Sequence, residues 1–542
     1  MLRTAPLDTE IAGAVAAMHA ALRTAALPLP LAGMQELREE RARALEQLDD
    51  YVLPRLAEPD APAVVVVGGP TGVGKSTLVN TLVGHPVTTP GTLRPTTRSA
   101  VLVHHPEDAA WFGPERLLPT FARAGGPSEE PHAVRLVASE RMRRGLAVVD
   151  APDFDSIDEG NRELSLRLLA AADLWLFVTS AARYSDEVPW QQLGDALARD
   201  TPVAVVMNRI PPEDRATVSA HLTRMLDERG IGRDRLFLVE RGPVDEDGLL
   251  PASYAAPVRH WLDALGADEA ARTALVRQAV VGAVRRSLAL AGPVAAAATR
   301  QVAAVDDLLT LVDATYDAAG AELSGRLGDG TLLRGDLLAQ WHAFVGRDDL
   351  LTLPETMGVL RTHLLAPDAE RAAATDRLGL ALDLALETLV VDHAERAAQQ
   401  AAEDLRSGPH GDALLAWSEE DLARAGRGLA GRARKEISAW RRALVAQVRA
   451  ELGDLGEVGA RALAVALVLH AVSTPGRERG TPELVVAARD GVRQLASGLL
   501  AQERARYLRP VLGWSLAPDA ADRLRAAAAK AERMLDAVGR DA

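Results

Sequence analysis

A lysine at position 75 closes the segment Gly69-Pro70-Thr71-Gly72-Val73-Gly74-Lys75-Ser76, and only three of the chain's 61 basic residues are lysines. A compact ammonium on a flexible stem enters a phosphate cluster as a point charge, which a planar guanidinium does poorly. The spacing is that of a phosphate-binding loop, Gly-x-x-x-x-Gly-Lys-Ser/Thr. In such a loop successive backbone N–H groups form an anion nest, and the glycines let the main chain approach closely. Lys75 is expected on the β- and γ-phosphates of a nucleotide, and the Ser76 hydroxyl on Mg²⁺.

Other residues complete this chemistry at a distance. Asp150 follows the apolar run Leu146-Ala147-Val148-Val149 and opens Asp150-Ala151-Pro152-Asp153-Phe154-Asp155-Ser156. A carboxylate there can hold the Mg²⁺ shell from the far side of the phosphates. Thr96 and Thr97 lie in Leu93-Arg94-Pro95-Thr96-Thr97-Arg98. A hydroxyl or carbonyl from that loop, with Thr97 preferred, can close over Mg²⁺ and the γ-phosphate and order residues 88–97 only in the triphosphate state. Asn208-Arg209 follows the run Val203-Ala204-Val205-Val206-Met207. The amide can bond a purine and brace the loop, and the Arg209 stem can cover the base. Arg183 also follows an apolar run, but in so arginine-rich a chain it reads as a surface residue. His104 and His105 are adjacent on a strand, point to opposite faces and make a poor metal pair.

The elements that must position these residues are legible in the periodicity. Ala63-Val64-Val65-Val66-Val67 is a short β-branched run, as a buried parallel strand requires. Residues 76–84 then read as a helix ended by Gly84. Strands are expected at 100–104, 133–138, 146–149, 174–178, 203–207 and 236–239. This β/α order implies a largely parallel sheet with ligand at the strands' C-terminal ends. Residues 34–56 carry helical spacing. Beyond 265 the strand signal gives way to long Ala/Leu/Arg segments such as 420–452 and 482–507. The expected architecture is an N-terminal helical segment (1–60), an α/β P-loop domain (61–265) and a C-terminal all-α domain (266–542).

Composition narrows the function. A net charge of −14 and a pI near 5.4 disfavour a nucleic-acid-coating surface. With no cysteine, disulfides, thiol catalysis and Cys-based metal sites are excluded, which fits a cytoplasmic protein. The N-terminus lacks the apolar core of a signal peptide. No run is read as long enough to cross a bilayer.

In this order the motifs resemble the G domain of translation-factor-class GTPases. The Arg94-Pro95-Thr96-Thr97-Arg98 segment and the helices on both sides look most like bacterial dynamin-like GTPases. The resemblance implies GTP with Mg²⁺. It assigns Gly69 to Thr77 to the first motif (Gly69, Pro70, Thr71, Gly72, Val73, Gly74, Lys75, Ser76 and Thr77), Thr96 and Thr97 to the second, Asp150 to Asp153 to the third, and Asn208-Arg209 to the fourth. It implies catalytic parts for Lys75 and Thr97, metal contacts by Ser76, Thr97 and Asp150, slow hydrolysis, and self-association through G domains. It also implies a contact with the inner face of the cell membrane.

Three positions depart from the family pattern. The third motif normally ends in Gly, and here it ends in Asp153. Phe154 stands where a water-orienting Gln is common. Pro211 stands where an Asp reads guanine, leaving Glu213 or Asp214 to substitute only if the loop bends back, and no convincing fifth motif is read, with Glu240-Arg241-Gly242 standing near its place. A membrane-touching hairpin is expected, if anywhere, around the apolar stretch 462–472 and the turn 473–480, against the plainer reading of a buried helix. Three functions stay open: a dynamin-like GTPase that self-associates at a membrane surface or away from one, an ATPase or GTPase switch with a helical effector domain and no membrane role, and a nucleotide-binding scaffold with little or no hydrolysis.

Overall fold

A computed structural model describes residues 9–88, 100–124, 133–156, 158–184, 186–198, 200–330, 332, 335–345, 369–452, 455–473 and 482–540. Thr96, Thr97 and the 474–480 turn lie outside the described residues. The chain divides into two compact units: one of residues 1–25, 33–298 and 517–542, the other of 26–32 and 299–516.

The first unit is built on an eight-stranded sheet: β1 (Ala63–Gly68), β2 (Ala100–His104), β3 (Ala122–Ala124), β4 (Ala133–Ala138), β5 (Leu146–Asp150), β6 (Leu174–Ser180), β7 (Val203–Ile210) and β8 (Leu236–Glu240), in the order β3-β4-β2-β5-β1-β6-β7-β8. β2 and β5 run antiparallel, and every other pair is parallel. The seven expected strands are present, β3 is additional, and β1, β5, β6, β7 and β8 each run on past the residues expected. Central strands are buried on both faces, which is why they read as unbroken apolar runs rather than alternating ones. Parallel pairing of β5, β1, β6 and β7 brings their C-terminal ends to one edge.

Its described helices are α1 (Thr9–Thr24), α2 (Met34–Gln47), α3 (Leu53–Ala57), α4 (Lys75–Val83), α5 (Glu159–Ala170), α6 (Glu187–Ala198), α7 (Arg215–Asp227), α8 (Ala252–Ala267), the first part of α9 (Glu269–Arg326) and, far along the chain, Ala520–Arg540. A π-helical turn, Leu48–Val52, joins α2 to α3. The last helix packs on α1, whose Val15, Met18 and Leu22 are buried. At the other end of the sheet from the P-loop, Asp173 is wholly buried. It accepts the Tyr51 hydroxyl (2.7 Å) and the Val64 N–H (2.7 Å) and pairs with the buried Arg55 guanidinium. Burial raises the Asp173 pKa, against the pull of Arg55, Val64 and Tyr51.

The second unit comprises the remainder of α9, α10 (Asp336–Val345), α11 (Ala369–Ser407), α12 (Gly411–Trp417), α13 (Leu429–Leu452), α14 (Gly456–Ser473), α15 (Glu483–Arg504) and α16 (Leu508–Gly513); Ala520–Arg540 is α17. Its core gathers one face each of α11, α13 and α15 around α14, whose residues 462–469, 471 and 472 are all buried. The apolar stretch considered for a membrane hairpin is therefore core. Bidentate pairs tie α13 to α11, Arg434 to Glu387 at 2.9 Å and Arg441 to Asp383 at 2.8 and 2.9 Å. The helix expected from 420 begins only at Leu429, because residues 420–428 supply backbone and side-chain groups to Arg506, Glu503 and Tyr507. Contrary to the sequence reading, α9 holds an 18-residue window long and apolar enough to cross a membrane by length and composition, a test that buried core helices also pass. Leu29, in the short 26–32 segment, is clipped by buried Gln301, which accepts its N–H at 2.7 Å and donates to its carbonyl at 2.9 Å.

Candidate nucleotide site

The loop 69–74 leaves β1 and enters α4. Gly74 sits at the helix N-cap with φ 92°, a left-handed conformation that favours glycine, and a Cβ there would lie 2.8 Å from the Asn208 amide nitrogen. Gly69 presses against the Val178 carbonyl of β6, leaving no space for a side chain.

Five consecutive carbonyls of this loop each accept a side-chain donor. Lys75 Nζ donates to Gly69 O (2.8 Å) and Pro70 O (3.2 Å), Arg183 Nη1 to Thr71 O (3.0 Å), Arg209 Nη1 to Gly72 O (2.9 Å) and Asn208 Nδ2 to Val73 O (2.8 Å). In a trans peptide the C=O of one residue and the N–H of the next point opposite ways. Holding the carbonyls outward therefore turns the N–H groups of residues 71–74 inward. That row, continued by the free amides of the α4 first turn at Lys75, Ser76 and Thr77, is an anion-binding concavity.

Asp150 ends β5 with no solvent exposure, and neither carboxylate oxygen makes a hydrogen bond of ordinary geometry. Burial raises its pKa. The nearby Ser76 and Thr88 hydroxyls and the Lys75 charge pull the other way, and the Asp153 charge adds to the rise. A buried carboxylate with two unused oxygens beside a half-buried serine is a donor set suited to a hard divalent cation. Thr88 is fixed by Asn80, whose side chain accepts the Val87 and Thr88 N–H groups (2.9 and 3.0 Å) and donates to Thr88 O (2.8 Å).

Asp153 pairs with Lys75. Asp155 Oδ1 accepts both the N–H and the hydroxyl of Thr71 at 2.7 Å, and Oδ2 pairs with Arg183 at 2.9 Å. Phe154, between them, is buried with its ring edge-on to Trp175, 6.3 Å between centroids. Asn208 and Arg209 do not follow β7 as expected but lie within its span. The register shifts between Met207 and Ile210, and Arg209 adopts φ 56°, which turns its guanidinium to the loop. Pro211 precedes a 3₁₀ turn bearing the exposed Glu213 and Asp214, while Glu240 pairs with Arg215.

The fold thus brings together Gly69 to Thr77, Asp150, Asp153, Asn208 and Arg209. Thr97 lies outside the described residues. Sequence reasoning passed over Asn80, Thr88 and Asp155 and set Arg183 aside. Two acidic residues at alternate positions after Asp150 were the signal available for Asp155.

No family model and no curated protein matches the chain. Among solved structures it is similar to an oligomerised bacterial dynamin pair described as sensing and tethering membranes (TM-score 0.33, 11% identity, over 93% of this chain and 95% of the other). It is also similar to Era of Aquifex aeolicus bound to GDP and AlF4⁻ (TM-score 0.23, 21% identity, over 33% of this chain and 52% of the other). A third similarity is to chloroplast translocon components with GTPase activity (TM-score 0.21, 17% identity, over 45% of this chain and 91% of the other). The chain spans about half the length of the Era structures it matches.

Proposed function

We propose that this chain binds a nucleoside triphosphate with Mg²⁺, GTP in preference to ATP, hydrolyses it slowly and uses the difference between bound states as a conformational switch. The observation that carries the reading is the loop 69–74, whose carbonyls are held outward by five side-chain bonds, next to the buried Asp150, whose carboxylate oxygens make no hydrogen bond of ordinary geometry. Ser76 and Asp150 would hold Mg²⁺, with Thr97 a third contact. When bound, the ion neutralises charge on the phosphates. The chain's own work is positioning and electrostatic stabilisation. Inward amides and Lys75 hold the phosphate oxygens, Asn208 and Arg209 keep the loop rigid, and burial of Lys75 and Asp150 strengthens the contacts those two make. The preference for guanine rests on the motif resemblance, since Pro211 offers no carboxylate.

Phe154 is buried against Trp175 and cannot orient an attacking water. On this reading the orienting group comes from outside the domain, which is why we propose self-association through the P-loop face. The same observation supports a second reading, a nucleotide-binding scaffold with little turnover. The proposed setting is the cytoplasm, with any contact at the inner face of the cell membrane peripheral and made without residues 462–472.

Binding of labelled GTP and ATP with Mg²⁺ tests the reading. GTP should bind, excess ATP should fail to displace it, and Lys75→Ala should weaken binding by at least about 100-fold. Equal binding of ATP would remove guanine preference, and binding unaffected by Lys75→Ala would remove the site. Phosphate release separates switch from scaffold, light scattering with GDP and aluminium fluoride tests self-association, and lipid co-sedimentation tests the membrane.

A further inference from the structure

Every proton of the Lys75 ammonium is already engaged. An ammonium has three donors. One goes to Gly69 O, one to Pro70 O and the third to the Asp153 carboxylate. A phosphate oxygen therefore reaches Lys75 only by displacing an acceptor. Two of the three are carbonyls of the loop Lys75 itself closes. The third belongs to a separate segment and alone carries a charge. Lys75 is 6% exposed and Asp153 17%, so water screens the pair poorly. Two residues on, Asp155 takes the N–H and the hydroxyl of Thr71, and its other oxygen is held by Arg183. The Thr71 N–H is one of the amides turned inward. Carboxylates at 153 and 155 thus occupy two of the donors that the loop offers to an anion. The segment that bears them, between the end of β5 and the Asp158 cap of α5, has neither strand nor helix over 151–156.

We propose that Asp153 is an internal phosphate surrogate: in the nucleotide-free chain its carboxylate fills the place of a phosphate oxyanion on Lys75, and nucleotide binding is an exchange of one anion for the other. The proposal rests on the P-loop reading above and deepens it. It gives the Asp at position 153 a task that the Gly of the family pattern could not perform. A latch closed nine-tenths of the time weakens apparent nucleotide binding about tenfold. The exchange also releases the 151–156 segment from the loop, so occupancy of the phosphate site is reported to α5 through the chain that leads into it.

Calorimetric titration of the full-length wild type, Asp153→Asn and Lys75→Ala with Mg²⁺·GTP and Mg²⁺·ATP decides the matter. Asp153→Asn is expected to bind at least about tenfold tighter than wild type, through a slower off-rate or a faster on-rate. Asp153→Ser, which keeps a small polar side chain, should do the same and serves if the Asn variant does not fold. Adding Lys75→Ala to either should erase the gain. Wild type that binds in a Lys75-dependent way, with both Asp153 variants equal or weaker, overturns the latch and leaves the P-loop reading standing. Wild type and all variants failing to bind overturns both. Binding by the Asp153 variants where wild type shows none supports the latch in its strongest form.

Discussion

The loop's shape depends on residues that are remote from it in sequence. Asn208 and Arg209, more than 130 positions away, and Arg183 hold three of its carbonyls. Asn208 is buried and has little freedom to be replaced. Asn208→Ala should lower stability by about 1–3 kcal/mol, because Val73 O loses its partner, and should weaken nucleotide binding as the loop relaxes. Urea unfolding and a binding titration read the two effects separately. Asp150 should behave oppositely in the two assays. Its charged form is disfavoured by burial and finds no hydrogen bond of ordinary geometry. Asp150→Asn should therefore leave the nucleotide-free chain as stable as wild type or more so, while Mg²⁺ no longer raises the melting temperature in the presence of GTP. Lys75, Ser76 and Asp150 were legible because local spacing and a strand's end mark them. Thr88 and Arg183 were not, because what singles them out is a neighbour from a distant segment, and a threonine or arginine in isolation carries no mark.

Among the elements, the buried strands were readable because burial on both faces forces an unbroken apolar run. β3, three half-buried residues in Ala122–Ala124, left no such trace. The span of β7 was read short since Asn208 and Arg209 are polar, although backbone pairing continues to Ile210. The π turn at Leu48–Val52 shows no sequence signature either, yet it presents Asp50 to Arg167 of α5 at 2.8 Å and to Thr120. The Arg55–Asp173 pair clamps the N-terminal helices to the starts of β1 and β6. Arg55→Met leaves Asp173 buried beside Tyr51 and Val64 without its counter-charge, and should cost about 3–5 kcal/mol in urea unfolding. Removing both charges with Arg55→Met and Asp173→Leu should cost less than the single change, which a double-mutant cycle would report.

For the molecule as a whole, three of the five tyrosines are held above their ordinary pKa, in each case chiefly by burial: Tyr51 and Tyr316 far above, and Tyr507 pushed up to about 12. The sign follows directly. Below about pH 10 the phenols are neutral folded or unfolded and pH has no effect through them. Above it the unfolded chain loses protons that the folded chain keeps, so stability falls by up to about 1.4 kcal/mol per pH unit for each phenol. Melting curves across that range should show the drop, and phenolate absorbance from Tyr51 and Tyr316 should rise only with unfolding. The pairing of α1 with α17 has a consequence in time. Their partners lie some 500 positions apart, and closing so large a loop costs roughly 3–4 kcal/mol more than closing a ten-residue turn. At about 5–20 residues per second the ribosome needs roughly half a minute to two minutes to make 542 residues. Through nearly all of that interval the apolar face of α1 waits for a helix not yet translated, so the unit that holds the P-loop finishes folding only after synthesis has passed residue 540.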